Sequence, residues 1–240
     1  MTDKSDGCPE LSYSIRFIVQ HAHFRNTTMH KNRKIVVTGL AFCGLLAAGL
    51  AQTQMPTGPM SFFLTSVGSG NGGNLGGLEG ADAICQNLAE SVDQGDLMWR
   101  AYLSTQGSDA VNARDRVGPG PWFNANGNRI AADVDQLHSV MNRVSAYTAV
   151  DQRGRTIPGS GNAPNRHDIL TGSQADGTAY PAGEDMSCNN WTSSSDDGKA
   201  RVGHHDYAAW NSAHDPRGCS QAALISSGGD GLFYCFAVQE

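Results

Sequence analysis

Two features are scarce in this sequence, long apolar runs and basic side chains. The longest apolar run, Ile35–Leu50, is shorter than the roughly 20 residues that a membrane-spanning helix needs. Six of the 17 Lys/Arg and three of the 23 Asp/Glu lie in residues 1–51, so residues 52–240 carry 11 basic and 20 acidic side chains, with Lys199 as the only lysine. A net charge of −9 repels phosphate and sulfate groups, which argues against nucleic acid and heparin-like polyanions as partners.

Motifs of several enzyme and metal-protein classes are also missing. The sequence has no Gly-x-Ser-x-Gly nucleophile elbow, no His-Glu-x-x-His helix and no Cys-x-x-Cys pair. The last absence argues against a thiolate zinc site. Serine, histidine and aspartate are abundant, so many triads could be assembled on paper and none is favoured. We therefore assign no catalytic residue.

The N-terminal region has the pattern of an export signal. A basic start after Met29 is followed by the apolar run and then by small residues, Gly49-Leu50-Ala51, at the positions that signal peptidase requires. We interpret residues 29–51 as a cleaved signal peptide and residues 1–28 as an upstream extension outside the mature protein. Residues 52–240 then form a secreted or periplasmic domain without a membrane span, long enough for its own core.

Residues 52–240 contain four cysteines: Cys85, Cys188, Cys219 and Cys235. An even number of cysteines in an exported chain indicates disulfide bonds rather than free thiols. Four cysteines allow three pairings, and the sequence by itself does not choose among them.

The glycine-rich stretch Gly72–Gln86 is the most informative segment. Its glycines allow sharp turns and positive φ, so the chain can leave the strand predicted over Phe62–Ser66 and enter a helix. Apolar residues in that helix recur at the spacing of one buried stripe, which places Cys85 on the inward face. The stripe consists of Leu78, Ala81, Cys85, Leu88 and Ala89.

Further elements follow along the chain. Asn126-Gly127 between apolar flanks predicts a hairpin, and Asp133 can cap a helical turn that runs to Leu137. Trp99 and Trp191 are expected in the core. The remaining predictions are a strand over Leu97–Ser104, a short strand over Cys188–Thr192 and a closing strand over Leu232–Val238.

These segments resemble the endostatin-like branch of the C-type lectin-like fold and related bacterial secreted domains, over nearly all of residues 61–238. The resemblance implies a single α+β domain with long loops. It also implies two nested disulfides, Cys85–Cys235 and Cys188–Cys219. The matching segments are the Gly-Ala-Asp-x-x-Cys helix at Gly80–Cys85, the strand Trp99–Ser104, the spacing of Cys188 and Trp191, and the order of the four cysteines.

The resemblance further implies a binding module that recognises a glycan or an envelope or extracellular protein, through the loop region between Asp176 and Cys219. Trp210-Asn211-Ser212 is similar to the Trp-Asn-Asp strand of calcium-dependent lectins, with serine in place of the aspartate. Trp210 is expected to be exposed, and an exposed aromatic face can stack on a sugar ring. The predicted ligand-binding residues are His204, His205, Tyr207, Trp210 and Asn211.

A dense polar cluster supports an alternative function, a metal-dependent enzyme on a lectin-fold scaffold. His204, His205, Asp206 and His214 could hold a divalent ion, zinc or calcium. Adjacent residues of a strand point to opposite faces, so His204 and His205 could bind one ion only from a loop.

Overall fold

The computed structural model of the chain describes residues 55–238. These residues belong to Ala51–Glu240, the second of two units into which the chain divides. The upstream extension and signal peptide predicted over residues 1–51 lie outside the described residues. Within residues 55–238, no helix has the length and apolar character needed to cross a membrane.

The described residues form a mixed α+β domain in which short elements are joined by long loops. The helical segments are α1 (Gly77–Glu90), α2 (Val134–Leu137), α3 (Cys188–Trp191), which has positive φ values, and α4 (Gln221–Ser227), with a 3-10 turn at Ala113–Asp115. The strands are β1 (Phe62–Leu64), β2 (Met98–Ala101), β3 (Trp122–Phe123), β4 (Arg129–Ala131), β5 (Asp168–Leu170), β6 (Val202–His204) and β7 (Gly229–Val238).

Strand β7 organises the main sheet. Strands β1 and β2 pair with it antiparallel, and β5 pairs with it in parallel. Strand β6 then pairs antiparallel with β5, while β3 and β4 form the separate hairpin predicted around Asn126-Gly127. The closing strand predicted over Leu232–Val238 is thus confirmed, and it begins three residues earlier than expected, at Gly229.

The side chains of β7 divide the core into two clusters, because successive residues of a strand point to opposite faces. Phe233, Cys235 and Ala237 pack in the cluster that contains α1. Leu232, Tyr234 and Phe236 pack in the cluster on the other face. Strand β7 is therefore covered on both sides, which explains its nearly continuous apolar sequence.

The disulfide pairing implied by the resemblance is confirmed. Cys85 of α1 is bonded to Cys235 of β7, and Cys188 is bonded to Cys219. Cys85 lies on the buried face of α1 with Ala81 and Ala89, as the spacing predicted. Trp99 and Trp191, also expected in the core, are 2% and 0% exposed.

The strand predicted over Cys188–Thr192 is wrong. Residues 188–191 instead form a left-handed turn with φ values of 49°, 54°, 54° and 63°. Such values are unusual for residues other than glycine, so contacts distant in sequence must hold the turn. Cys188 is tied to Cys219, the Asn190 side chain accepts a hydrogen bond from the Gln106 backbone, and the Trp191 indole donates to the Ser104 carbonyl.

Candidate functional site

Three histidines and one aspartate come together at one end of the β5–β6 pair. His167 immediately precedes β5, and Asp168 begins it. The antiparallel register places Asp168 directly opposite His204, the last residue of β6. His214 joins them because its segment pairs back onto Val202 of β6. We call His167, Asp168, His204 and His214 the histidine centre.

One carboxylate oxygen lies at the middle of the histidine centre. The Nε2 atoms of His167, His204 and His214 lie 3.1, 3.2 and 3.2 Å from Asp168 Oδ1. The Asp168 side chain is 2% exposed, whereas that of His214 is 41% exposed. The centre therefore has a buried carboxylate at its base and an open side towards solvent at His214.

The tautomer of His214 follows from the contact of its other ring nitrogen. His214 Nδ1 lies 3.0 Å from the Asp215 carbonyl oxygen, which can only accept, so Nδ1 carries the proton. His167 Nδ1 lies 3.3 Å from Asp206 Oδ1, but these two buried atoms are not aligned for a hydrogen bond and have no other partner among the described residues. In the neutral His214 ring, Nε2 then presents a lone pair to Asp168 Oδ1. This arrangement is repulsive unless a proton or a metal ion lies between the atoms.

Burial disfavours a protonated histidine beside the Asp168 carboxylate. Desolvation, reinforced by the nearby His167, lowers the pKa of His204. Desolvation also raises the pKa of Asp168, although the three histidines around it act in the opposite direction. Both shifts work against an imidazolium–carboxylate pair. A bound cation would supply the positive charge that these ligand atoms face.

Several polar atoms of this region lack a hydrogen-bond partner within the described part of the chain. Asp168 Oδ2 and His204 Nε2 are buried and form no hydrogen bond there. His204 Nε2 is close to Asp168 Oδ1 but is not aligned for a hydrogen bond with it. Buried polar groups without partners are rare, and an unseen ion is one of their ordinary explanations.

The rings of the centre are arranged side by side. His167 and His204 stack with centroids 4.3 Å apart and planes 12° from parallel, which directs their edges to the same point. Tyr207 meets both rings edge-on, at centroid distances of 6.2 and 6.0 Å. Tyr207 is 56% exposed, so it flanks the centre with an accessible aromatic ring.

The structure brings only part of the predicted metal set together. His204 and His214 both contact Asp168 Oδ1, whereas His205 is fully buried and does not belong to the group of ligand atoms that lie within 4.8 Å of one another. Asp206 contacts His167 at Nδ1, so it lies beside a ligand histidine and does not itself face the ion position. In their place the structure supplies His167 and Asp168, whose ligand atoms and that of His204 lie within 4.8 Å of one another.

His167 and Asp168 were not predicted from the sequence, although one feature of the sequence pointed to Asp168. Asp168 directly precedes the apolar residues Ile169 and Leu170, and all three residues are buried. A carboxylate that starts a buried strand needs a partner, because burying an unpaired charge is costly. The identity of that partner depends on strand pairing, and the pattern along the chain does not reveal it.

The predicted exposure of Trp210 is wrong. Trp210 is 2% exposed, with its ring packed 4.9 Å from Tyr102 and 5.3 Å from Tyr234. Asn211 is 3% exposed, and its amide group donates hydrogen bonds to the Tyr102 hydroxyl and to the carbonyls of Gln174 and Ala175. Of the predicted stacking residues in this segment, Tyr207 alone presents an exposed ring.

Chemically, the histidine centre offers three imidazole nitrogens and one carboxylate oxygen. Imidazole is a preferred ligand of zinc, copper and nickel, and a single carboxylate is compatible with each. The chain matches no protein-family model and no curated protein. Inference about its function therefore starts from the geometry of this centre.

Proposed function

We propose that this protein is an exported, disulfide-bonded binding module of C-type lectin-like fold that holds a zinc-class metal ion in its histidine centre. One observation carries the metal assignment, the convergence of three histidine Nε2 atoms on Asp168 Oδ1. The Nδ1 proton of His214 supports it, because this proton leaves the Nε2 lone pair of the same ring free for a metal.

Three of the side chains lie close enough together to share one ion. The ligand atoms of His167, Asp168 and His204 are all within 4.8 Å of one another, whereas His214 does not belong to this group. The Nε2 atom of His214 is 3.2 Å from Asp168 Oδ1. Calcium, the other ion considered from the sequence, takes six to eight oxygen ligands, so three imidazoles disfavour it.

The ligand residues come from segments that are distant in the sequence. His167 and Asp168 lie at the start of β5, and His204 ends β6. A structural ion contributes folding energy by joining its ligands. The ion would therefore hold together the start of β5, the end of β6 and the segment around His214, which lie within or beside the predicted binding face between Asp176 and Cys219.

The lectin-like part of the proposal is supported by the order of the elements. Strand β1, the glycine loop, α1 and the closing strand β7 follow in the order that the resemblance implies, and the two nested disulfides join them. Disulfides fit an exported protein, because they persist in oxidising compartments. A glycan or an envelope or extracellular protein is the proposed ligand, with Tyr207 as an aromatic contact beside the metal.

Metal titration of the exported, oxidised protein tests the proposal. After chelator treatment, Zn²⁺ should bind at one ion per chain, Cu²⁺ should compete for the same site, and Ca²⁺ should not. Asp168→Asn should lose the Zn²⁺ site, whereas Asp215→Asn should retain it because that carboxylate pairs with Arg201 instead. Less than about half an equivalent of any transition metal on the folded wild-type protein would refute the metal assignment.

A further inference from the structure

Asp206 joins the histidine centre to a separate loop through its two carboxylate oxygens. Oδ1 lies 3.3 Å from His167 Nδ1. Oδ2 accepts a hydrogen bond of 2.7 Å from the backbone N–H of Ser160. The Asp206 side chain is only 10% exposed, so both contacts are largely shielded from water. One carboxylate thus touches a metal-facing histidine on one side and a loop backbone on the other.

The loop in question, residues 158–163, is fitted closely to Asp206. A Cβ atom added to Gly159 would collide with Asp206 Oδ2, so glycine allows the backbone to approach the carboxylate. The loop is turned by the Asn162 side chain, which accepts a hydrogen bond of 3.0 Å from the Gly159 N–H. The start of the loop is tied to the chain that follows it by a 3.1 Å hydrogen bond from the Arg166 N–H to the Pro158 carbonyl.

We propose that Asp206 is the positioning residue of the metal centre, and that through it metal binding orders the 158–163 loop. The inference rests on the proposed metal function. A His167 that binds a metal through Nε2 carries its proton on Nδ1, and Asp206 Oδ1, 3.3 Å from Nδ1, is the acceptor that lies beside it. Neither atom has a hydrogen-bond partner among the described residues, so this pair is left to form when the metal binds. A metal on Nε2 draws electron density from the ring and makes Nδ1–H a stronger donor to Asp206. The carboxylate is then fixed in the orientation that also accepts from Ser160.

The coupling must act in both directions. If the metal stabilises the loop against Asp206, the ordered loop raises the affinity for the metal by the same factor. The loop walls a cavity of about 530 Å³ together with Asp206 and Tyr147. Tyr147 is 84% exposed, so this cavity has an accessible aromatic ring on its rim. The shape of the cavity therefore depends on the metal, although none of the metal-facing residues lines it.

Asp206→Asn is the direct test, with Asp215→Asn as the matched control on the same surface. An asparagine amide turned towards His167 would favour the wrong tautomer, so Zn²⁺ affinity should fall by about 10–100-fold, as for other outer-shell partners of metal ligands. In the Co²⁺-loaded protein, the visible absorption bands should shift for Asp206→Asn and not for Asp215→Asn. A general loss of packing would not produce that spectral change in a protein that still binds one ion.

Hydrogen exchange of the loop tests the second half of the proposal. Zn²⁺ should slow amide exchange over residues 158–163 in the wild-type protein and in Asp215→Asn, and should have no effect there in Asp206→Asn. Gly159→Ala provides a second variant if Asp206→Asn does not fold. Its new methyl group separates the loop from Asp206, so Zn²⁺ should still bind, with its affinity lowered by the coupling factor, while the loop no longer responds.

The two proposals fail in different ways. A folded wild-type protein that binds no transition metal would overturn the metal function and this inference with it. A wild-type protein that binds Zn²⁺, with Asp206→Asn within about twofold of its affinity and with loop exchange indifferent to Zn²⁺, would overturn the role of Asp206 alone.

Discussion

Two histidines of this domain, His138 and His214, share a tautomer and differ in the group that faces Nε2. His138 Nδ1 donates to the Val134 carbonyl at 2.8 Å, as His214 Nδ1 donates to the Asp215 carbonyl at 3.0 Å. His138 Nε2 then accepts a 2.7 Å hydrogen bond from the Tyr102 hydroxyl. His214 Nε2 instead faces the Asp168 carboxylate, which has no proton to offer when ionised.

The comparison separates a structural histidine from a ligand histidine. The hydroxyl of Tyr102 donates to His138 and accepts from Asn211 at 2.9 Å, so each group in the chain of three has its partner inside the protein. The histidine centre is not closed in this way, because its nitrogen lone pairs and its carboxylate all need a positive charge. A self-satisfied network contributes rigidity, whereas an incomplete one of this composition is suited to a cation.

The sharpest way to break the comparison is to remove one histidine from each environment. His204→Ala should weaken Zn²⁺ binding by more than about 100-fold, since loss of an outer-shell partner already costs 10–100-fold. His138→Ala should leave Zn²⁺ affinity nearly unchanged, although it should reduce stability. Isothermal titration with Zn²⁺ measures both variants, and equal losses of affinity would show that the two histidines do not differ as described.

Stability with and without metal gives the next largest contrast. At a free Zn²⁺ concentration 100 times the dissociation constant, binding should raise the free energy of unfolding by about 2.7 kcal/mol. The increase should be seen in the wild-type protein and in a folded His138 variant, and should be absent in Asp168→Asn. Denaturant unfolding at fixed Zn²⁺ measures it, and an equal gain in Asp168→Asn would place the ion elsewhere.

Asp168→Asn should have the opposite effect on the metal-free protein. Asparagine removes a buried charge, and its amide can donate to the histidine lone pairs that the carboxylate repels. The free energy of unfolding should therefore rise by about 1 kcal/mol, the value of one added hydrogen bond. Unfolding of chelator-treated protein measures this change, and a clear loss of stability would show that the carboxylate is satisfied without a metal.

The smallest effect is the pH dependence that His138 contributes. Burial, the main cause, lowers the pKa of His138 from its ordinary value of 6.5. The unfolded chain then takes up the proton first, so the stability contributed by neutral His138 is complete above pH 6.5 and is lost as the pH falls below it. His138→Gln should flatten the dependence of stability on pH between about pH 8 and pH 5 in metal-free protein. An unchanged slope would remove His138 as its source.

Local patterns in the sequence predicted much of the fold. The apolar stripe that places Cys85 on the inner face of α1, the Asn-Gly turn and the Asp133 cap each depend on residues within about one turn of one another. Asp133 does cap α2 by accepting from the Gln136 N–H, and the hairpin forms where Asn126-Gly127 predicted it. The disulfide pairing followed from the resemblance, which carries long-range information that the spacing lacks.

Tertiary structure decided what the chain brings together over long distances. Asp168 meets His204 because β5 and β6 pair in one register, and β5 is placed by its contact with β7 at the other end of the chain. Trp210 is covered by Tyr102 and Tyr234, and the residues next to Trp210 in the sequence give no sign of this burial. Local propensity acts over a few residues, whereas strand register is chosen by burial of the whole sheet. The sequence by itself therefore determined most of the elements and the residue types available for a site, and the pairing of β5 with β6 and β7, together with the bridge from Val202 to His214, selected the four residues that meet.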